Sequence, residues 1–184
     1  MSGTWCEIPS KSTTSMLARS TDAHVRAGPA FTVVYTDGAC LGNPGPGGWA
    51  WAVPGGAYAS GAAAHTTNQR MEMTAVLEAL RVLLAADPPP AGIEVASDSA
   101  YVVNCFRQEW WKGWERRGWR NVAGKAVANR DLWEPLLALA LDPARPVAFR
   151  WVKGHSGDRW NDFVDRLAVE AASIGRGTSG TSGT

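Results

Sequence analysis

Four acidic residues that lie far apart along the chain could together bind divalent metal ions: Asp37, Glu72, Asp98 and Asp165. Asp37 and Asp98 each end a predicted β-strand, so parallel pairing of those strands would bring both carboxylates to one end of a sheet. Two like charges about 4 Å apart repel by about 4 kcal/mol at an effective dielectric constant of 20, and a divalent cation removes this repulsion. Carboxylate oxygens without Cys or clustered His favour Mg²⁺ or Mn²⁺ over zinc.

Each of these acids also has an ordinary structural interpretation. An aspartate at a strand end commonly caps a turn or a helix. Glu72 falls in the first turn of a predicted helix, where the helix dipole stabilises its charge. Asp165 could be a solvated residue of the last predicted helix. Spacing alone therefore leaves both interpretations open.

The elements that would position these acids follow from the hydrophobic pattern. A β-rich run, a Gly/Pro-rich loop and two short strands predict an antiparallel meander, and helices then alternate with two further strands. This order predicts an α/β fold, a mixed sheet with helices on its faces. The predicted strands are 31–36, 49–53, 58–64, 93–96 and 147–152, and the predicted helices are 68–86, 100–106, 132–141 and 159–174.

Length and composition indicate one globular domain with a tail at each end. The chain has 184 residues, of which 45% are hydrophobic and 19% charged. Residues 1–30 are predicted to be a disordered extension, 31–174 the folded domain and 175–184 a flexible Gly/Ser/Thr tail. No apolar run reaches the roughly 20 residues that cross a membrane, and no secretion signal is present, so we expect a cytoplasmic protein with its three cysteines reduced.

Residues 107–130 are strongly basic, with seven Lys or Arg against two Glu, whereas the whole chain has a net charge of +1. Tryptophans interleave with the cations, which is typical of a surface that neutralises phosphates and packs against sugars. The alternative is a solvated helix face with some tryptophans in the core, as we expect for Trp119 and Trp133. The candidate contacts are Trp110, Trp114, Arg116, Arg117, Arg120 and Lys125.

Five local strings resemble, in order, the motifs of bacterial-type (type 1) ribonuclease H. They are YTDGACLGNPGPGG at 35–48, TTNQRME at 66–72, SDSAYV at 97–102, WVKGHSG at 151–157, and ND at 161–162 followed by DRLA at 165–168. The resemblance covers about 31–172, so 31–174 is expected to be a ribonuclease H catalytic domain. It implies a five-stranded mixed sheet, made of three antiparallel strands and two parallel additions, with flanking helices.

The resemblance also implies an activity. Family members are endonucleases that hydrolyse the RNA strand of RNA–DNA hybrids and leave 5′-phosphate and 3′-hydroxyl ends. By the same resemblance, the four acids hold two ions, Mg²⁺ with Mn²⁺ as an alternative, and His155 assists proton transfer or product release from its loop. We expect a monomer that needs no membrane and no obligate protein partner.

Substrate contacts can be carried over in the same way. Asn43, Asn68 and Gln69 match residues that reach the minor groove of the hybrid, and Thr67 and Asn129 match residues that hold a DNA phosphate. The basic segment 107–130 resembles the protrusion that cradles the DNA strand, and we call it the handle. Two positions depart from the family pattern: Ala100 stands where Gln is frequent, and Glu115 is an acid inside the handle.

Two other functions are open on this sequence. The first is a related polynucleotidyl transferase, such as an integrase or a Holliday-junction nuclease, although the handle and the His155 loop argue against it. The second is a catalytically inactive module that only binds hybrids. Such a module would be expected to have lost one of the four acids, and all four are present.

Overall fold

A six-stranded mixed sheet organises residues 31–183, the part of the chain that the computed structural model describes. The extension predicted at 1–30 lies outside the described residues. In chain order the elements are β1 (Thr32–Cys40), β2 (Gly45–Ala52), β3 (Ala57–Thr66), α1 (Asn68–Leu84), β4 (Ile93–Ser97), α2 (Ala100–Arg107), α3 (Trp110–Arg116), α4 (Arg130–Ala140), β5 (Val147–Trp151), α5 (Arg159–Ile174) and β6 (Ser179–Thr181).

The strand order is β5-β4-β1-β2-β3-β6. β1, β2 and β3 form an antiparallel meander, while β4 is parallel to β1 and β5 is parallel to β4. This arrangement confirms the predicted mixed sheet and the parallel pairing of the two strands that carry acids. Thr36 is level with Ser97 in that pairing, so Asp37 and Asp98, the next residues, lie side by side where β4 ends.

Two apolar layers hold the helices on the sheet. On one face α1, α2, α3 and α4 cover a core that includes fully buried Met73, Leu80 and Trp133. On the other face α5 places Val164 and Ala168 against the sheet. Burial of one such large side chain stabilises the fold by about 1.5–3 kcal/mol, so these layers fix the position of each helix.

Side-chain caps set the starts of the two helices that carry site residues. Thr67 Oγ1 accepts the N–H of Arg70 at the start of α1, and Asp158 Oδ1 accepts the N–H groups of Trp160 and Asn161 at the start of α5. α5 ends at Ile174, and Gly175 follows it with a φ of 70°, which suits a residue without a side chain. Among the described residues, no helix has both the length and the apolar character that crossing a membrane requires.

Four local predictions differ from the structure. The loop predicted at 38–48 is shorter, since β1 runs to Cys40 and β2 begins at Gly45, so Asp37 lies inside a strand rather than at its end. Residues 38–48 were predicted as a loop because their glycines disfavour strands in isolation. In the structure, hydrogen bonds to the neighbouring strands stabilise the extended backbone there. α1 ends at Leu84, and Glu72 is its fifth residue, just beyond the first turn.

The C-terminal segment is also different from its prediction as a flexible tail. Residues 179–181 form β6, which pairs antiparallel with β3 and adds a sixth strand to the predicted five. Ser182 beyond it is buried, and its N–H donates to the Gly56 carbonyl at 2.7 Å. A low-complexity sequence can still form this ladder because the bonds use backbone groups, which every residue here provides.

Candidate active site

The four acids and His155 line one open cleft of about 380 Å³. It lies where the carboxyl ends of β1 and β4 meet the start of α1 and the middle of α5. The structure therefore brings together the five residues predicted to be catalytic, from five separate segments of the chain. Gly38, Ala39, Cys40 and Asn68 complete the lining.

Asp37 is the most buried of the four acids, with 8% of its surface exposed. Its Oδ1 accepts the backbone N–H of Gly38 at 2.7 Å. Burial, followed by the negative charge of Asp98, raises the pKa of Asp37 to about 8; Asp165 and Glu72 add to the rise and the Gly38 bond opposes it. The carboxyl thus keeps its proton at neutral pH unless a cation compensates the surrounding charge.

Two donors hold the carboxylate of Glu72. Asn68 Nδ2 donates to Oε1 at 2.9 Å, and the Ser99 hydroxyl donates to Oε2 at 2.6 Å. Burial raises the pKa of Glu72 and Asp98 adds to the rise, while the bonds from Ser99 and Asn68 lower it. Ser99 also accepts the N–H of Val102 as the cap of α2, so its position is set by a helix start.

Close backbone packing places Glu72 and Asp98. A side chain on Gly38 would overlap the backbone of α1 at Glu72, so glycine there lets α1 approach β1. Gly154 likewise leaves room for the Asp98 carboxylate. That carboxylate accepts from Asn161 Nδ2 at 3.4 Å. The Asp98 carbonyl accepts the indole N–H of Trp151 at 3.0 Å.

His155 and Asp165 approach the cleft from the segment after β5. His155 lies on the exposed loop between β5 and α5 and has a φ of 49°, in the left-handed region that few side chains adopt. Asp165 is on α5 and is half-buried. An exposed imidazole beside four carboxylates can exchange protons with solvent and with a group bound in the cleft.

The donor set suits a hard divalent cation. The lining of the cleft has four acidic side chains, one cysteine, Cys40, and one histidine, so oxygen atoms dominate the donors. The repulsion between the acids contributes to the raised pKa of Asp37. Across residues 31–183 no group of three or more His, Cys, Asp or Glu side chains is already arranged around one point as metal ligands. The fit to such an ion thus rests on the kind of donor atoms that line the cleft, not on a ready-made ligand geometry.

The residues predicted to contact the minor groove and a DNA phosphate cluster beside this cleft. Asn43 Oδ1 accepts the backbone N–H of Asn68 at 3.3 Å, which ties the loop after β1 to the start of α1. Gln69 is exposed next to them. Thr67 and Asn129, which precede α1 and α4, both contact Arg70.

The handle is formed by α3 and the loop that follows it. Its cations are exposed, namely Arg116, Arg117, Arg120 and Lys125, and Trp110 is half-buried. Trp114 was predicted to contact substrate, but it is 8% exposed and its ring lies 5.4 Å from that of Trp133. It therefore packs α3 on the core, and the prediction for Trp114 is wrong. Trp133 is buried as predicted, and Trp119 is half-buried beneath the guanidinium of Arg130.

The sequence-based prediction did not single out three residues that hold the acids. Ser99, Asn161 and Trp151 each donate a hydrogen bond to Glu72 or Asp98. A signal existed for Ser99, because a serine directly after a strand and its aspartate commonly begins a helix. Asn161 is 1% exposed on a helix, and only its burial distinguishes it from a solvated residue.

The fold and the cleft define a class, the ribonuclease H-like α/β proteins. The sequence model of the RNase H family matches residues 29–173. A ribonuclease H of Syntrophomonas wolfei is 47% identical over 142 residues, covering 76% of this chain and 94% of that protein. One of Thermus thermophilus is 49% identical over 142 residues, covering 76% of this chain and 82% of that protein.

A solved structure gives the same result. LC9-RNase H1, described as a type 1 RNase H with the type 2 active-site motif, has a TM-score of 0.68 and 30% identity, covering 84% of this chain and 79% of that one. The chain belongs to the ribonuclease H family, with the type 1 enzymes as its structural neighbours. The predicted family, fold and enzyme class are confirmed, and enzymes of this family depend on metal ions.

Proposed function

We propose that the protein is an endonuclease that hydrolyses the RNA strand of RNA–DNA hybrids with two Mg²⁺ ions, which Mn²⁺ could replace. The products would carry 5′-phosphate and 3′-hydroxyl ends. The observation that carries the proposal is the cleft itself, where three carboxylates from separate elements surround a buried Asp37 whose pKa is about 8. Such a site stabilises positive charge, and a phosphodiester brought there needs positive charge to be attacked.

The side chains in and around the cleft would fall into three groups: those that hold the ions, those that orient an acid, and the histidine that transfers a proton. Asp37, Glu72, Asp98 and Asp165 would hold the ions, which supply an activated water and stabilise the leaving oxygen when bound. Asn68 and Ser99 keep the Glu72 carboxylate in one orientation. An imidazole nitrogen of His155 would give a proton to the leaving 3′-oxygen or assist product release from its exposed loop.

Hybrid selection would come from the surface beside the cleft. Asn43, Asn68 and Gln69 would contact the minor groove, where RNA presents 2′-hydroxyls that DNA lacks. Thr67 and Asn129 would hold a phosphate of the DNA strand. The exposed cations of the handle would neutralise further phosphates of that strand, without reading its sequence. We infer that the protein acts as a cytoplasmic monomer without an obligate partner.

A cleavage assay on four substrates tests this function: RNA–DNA hybrid, double-stranded RNA, double-stranded DNA and single-stranded RNA. With Mg²⁺ only the hybrid should be cut, and EDTA should abolish cutting. Asp98→Asn should lower kcat by at least about 10³-fold while hybrid binding persists, because the amide cannot replace a charged ligand. Asp142→Asn, an exposed acid after α4, is the control. Turnover by Asp98→Asn like that of the unmodified protein would refute the metal site.

A further inference from the structure

Arg70 contacts both residues that we expect to hold a phosphate of the DNA strand. Its backbone N–H donates to Thr67 Oγ1 at 3.4 Å, and its guanidinium Nη1 donates to Asn129 Oδ1 at 3.2 Å. Thr67 precedes α1 and Asn129 precedes α4, so one residue connects the starts of two helices. A side-chain substitution at Arg70 leaves the backbone bond to Thr67 in place, so its effect falls on the contact with Asn129.

Asn129 does not use its side chain as a residue at a helix start usually does. An asparagine there normally accepts a hydrogen bond from the first turn, but the Asn129 side chain makes no such bond. Its backbone is in the left-handed region, with φ 57° and ψ 32°. Because its Oδ1 faces Arg70, the two N–H donors of the same amide face away from the guanidinium.

Asp131 fixes the guanidinium in turn. Its Oδ2 lies 2.6 Å from Nη2 of Arg70 and its Oδ1 lies 3.0 Å from Nη1. This two-point pair orients the plane of the guanidinium and also compensates its charge. Arg70 is thus better suited to orient a neighbouring amide than to bind a phosphate itself.

We propose that Arg70 is a positioning residue for the DNA strand, which holds the Asn129 amide with its N–H groups directed at a backbone phosphate. The inference rests on the proposed hybrid-cleaving function. A lysine at this position keeps the charge, but its compact ammonium cannot reproduce the planar contact with both Asp131 and Asn129. Arg70→Lys should therefore free the amide while leaving the local charge unchanged.

Three variants test the role of Arg70: Arg70→Lys, Asn129→Gly and the double variant. Glycine adopts the left-handed backbone of residue 129 without cost and removes only the amide. Each single change should raise the KM for hybrid about tenfold, the effect of about one charge-assisted hydrogen bond, with kcat within about twofold. The double variant should be no worse than Asn129→Gly, because Arg70 acts through Asn129. Affinity for hybrid in EDTA, measured by fluorescence anisotropy, should fall in parallel.

Arg81→Lys is the matched control. Arg81 is also on α1 and also lies 2.6 Å from a carboxylate, that of Glu78, so its replacement should leave KM unchanged. A second variant, Asp131→Asn, loosens the guanidinium without touching Arg70 and should raise KM in the same direction but less. Exposed ion pairs contribute about 0–1 kcal/mol to stability, so these variants should fold.

A hybrid with one uncharged methylphosphonate in its DNA strand identifies the phosphate. The unmodified protein should lose affinity at one position of the scan, and both Arg70→Lys and Asn129→Gly should be insensitive there. If Asn129→Gly raises KM and Arg70→Lys does not, the inference is wrong and the proposed function stands. Additive effects in the double variant, or a lower melting temperature with unchanged KM, would equally overturn it. Absence of hybrid cleavage by the unmodified protein would instead refute the proposed function.

Discussion

Asp37 is the residue whose acid–base chemistry the fold changes most. In the unfolded chain its carboxyl has a pKa of 3.8, and burial among other acids raises this to about 8 in the folded protein. The folded state therefore retains a proton that the unfolded state loses above pH 3.8. Stability from the neutral carboxyl is fully present below pH 3.8 and is lost as the pH rises towards about 8.

Replacing Asp37 by asparagine should make the metal-free protein more stable at neutral pH. The amide has no charge to lose, and its oxygen can still accept the Gly38 N–H. The free energy of unfolding in EDTA should rise by up to about 5 kcal/mol at about pH 7.5, where ionisation of Asp37 in the unfolded chain opposes folding. At about pH 4 the gain should be much smaller, because the carboxyl is then protonated in the folded state and only about half ionised in the unfolded state. Urea denaturation at the two pH values measures both numbers.

The control for Asp37→Asn is Glu170→Gln on α5, which removes an exposed acid of the same charge. This change should alter the free energy of unfolding by less than about 0.5 kcal/mol at either pH. A gain for Asp37→Asn that is equal at both pH values would mean that packing, rather than proton binding, distinguishes the two side chains. Hybrid cleavage should be lost in Asp37→Asn despite its greater stability, as expected where residues needed for activity lower the stability of the fold.

At the scale of elements, α3 and its following loop present cations away from the core. Arg116 and Arg117 are exposed at the end of α3, while Trp114 on the same helix is buried and anchors it. One helix thus combines an apolar anchor with a basic surface. Its contribution to binding should be electrostatic and so should depend on salt.

The double variant Arg116→Ala with Arg117→Ala should raise KM for hybrid and weaken its salt dependence. Each phosphate contact contributes about 0.7–0.9 to the slope of log affinity against log salt concentration, so the slope should fall by about one to two. Fluorescence anisotropy between about 50 and 300 mM KCl measures it. The double variant Arg81→Ala with Arg176→Ala removes the same charge outside the handle and should leave the slope unchanged. An equal loss in both variants would attribute the effect to net charge alone.

The sequence predicted some elements of the fold and the site but not the contacts between distant elements. The alternation of residue types was enough to predict the strands that carry or precede Asp37 and Asp98, because a strand pattern is local. The pairing of β1 with β4 joins distant segments, and its parallel sense came from the resemblance to the family. Trp114 could not be assigned in the same way, since its burial depends on Trp133, a residue of another helix. Hydrogen bonds from Ser99 and Asn161 to the acids likewise join distant segments, and no local pattern encodes them.

At the scale of the whole molecule, the sheet has the candidate active-site cleft beside its central strands and β6 at one edge. β6 covers β3, which would otherwise expose a row of unpaired backbone groups. Gly177 allows this approach, because a side chain there would overlap the Ser60 carbonyl. β6 lies beyond residues 29–173, the part of the chain that the family model matches.

Removal of residues 177–184 should lower stability without changing catalysis. Truncation breaks the β3–β6 ladder and the bonds of Ser182 to Val53 and Gly56, each bond contributing about 0.5–1.5 kcal/mol. The entropy of ordering the segment offsets most of this, so the net loss should be about 1 kcal/mol, or about 2–4 °C in Tm. kcat and KM should be unchanged, because no residue of β6 lines the cleft.

Ser182→Ala, which removes only the side-chain bonds, should give a smaller loss in the same direction. A truncated protein with unchanged Tm would show that β6 contributes no net stability, and a truncated protein with reduced kcat would show that the sheet edge is coupled to the cleft.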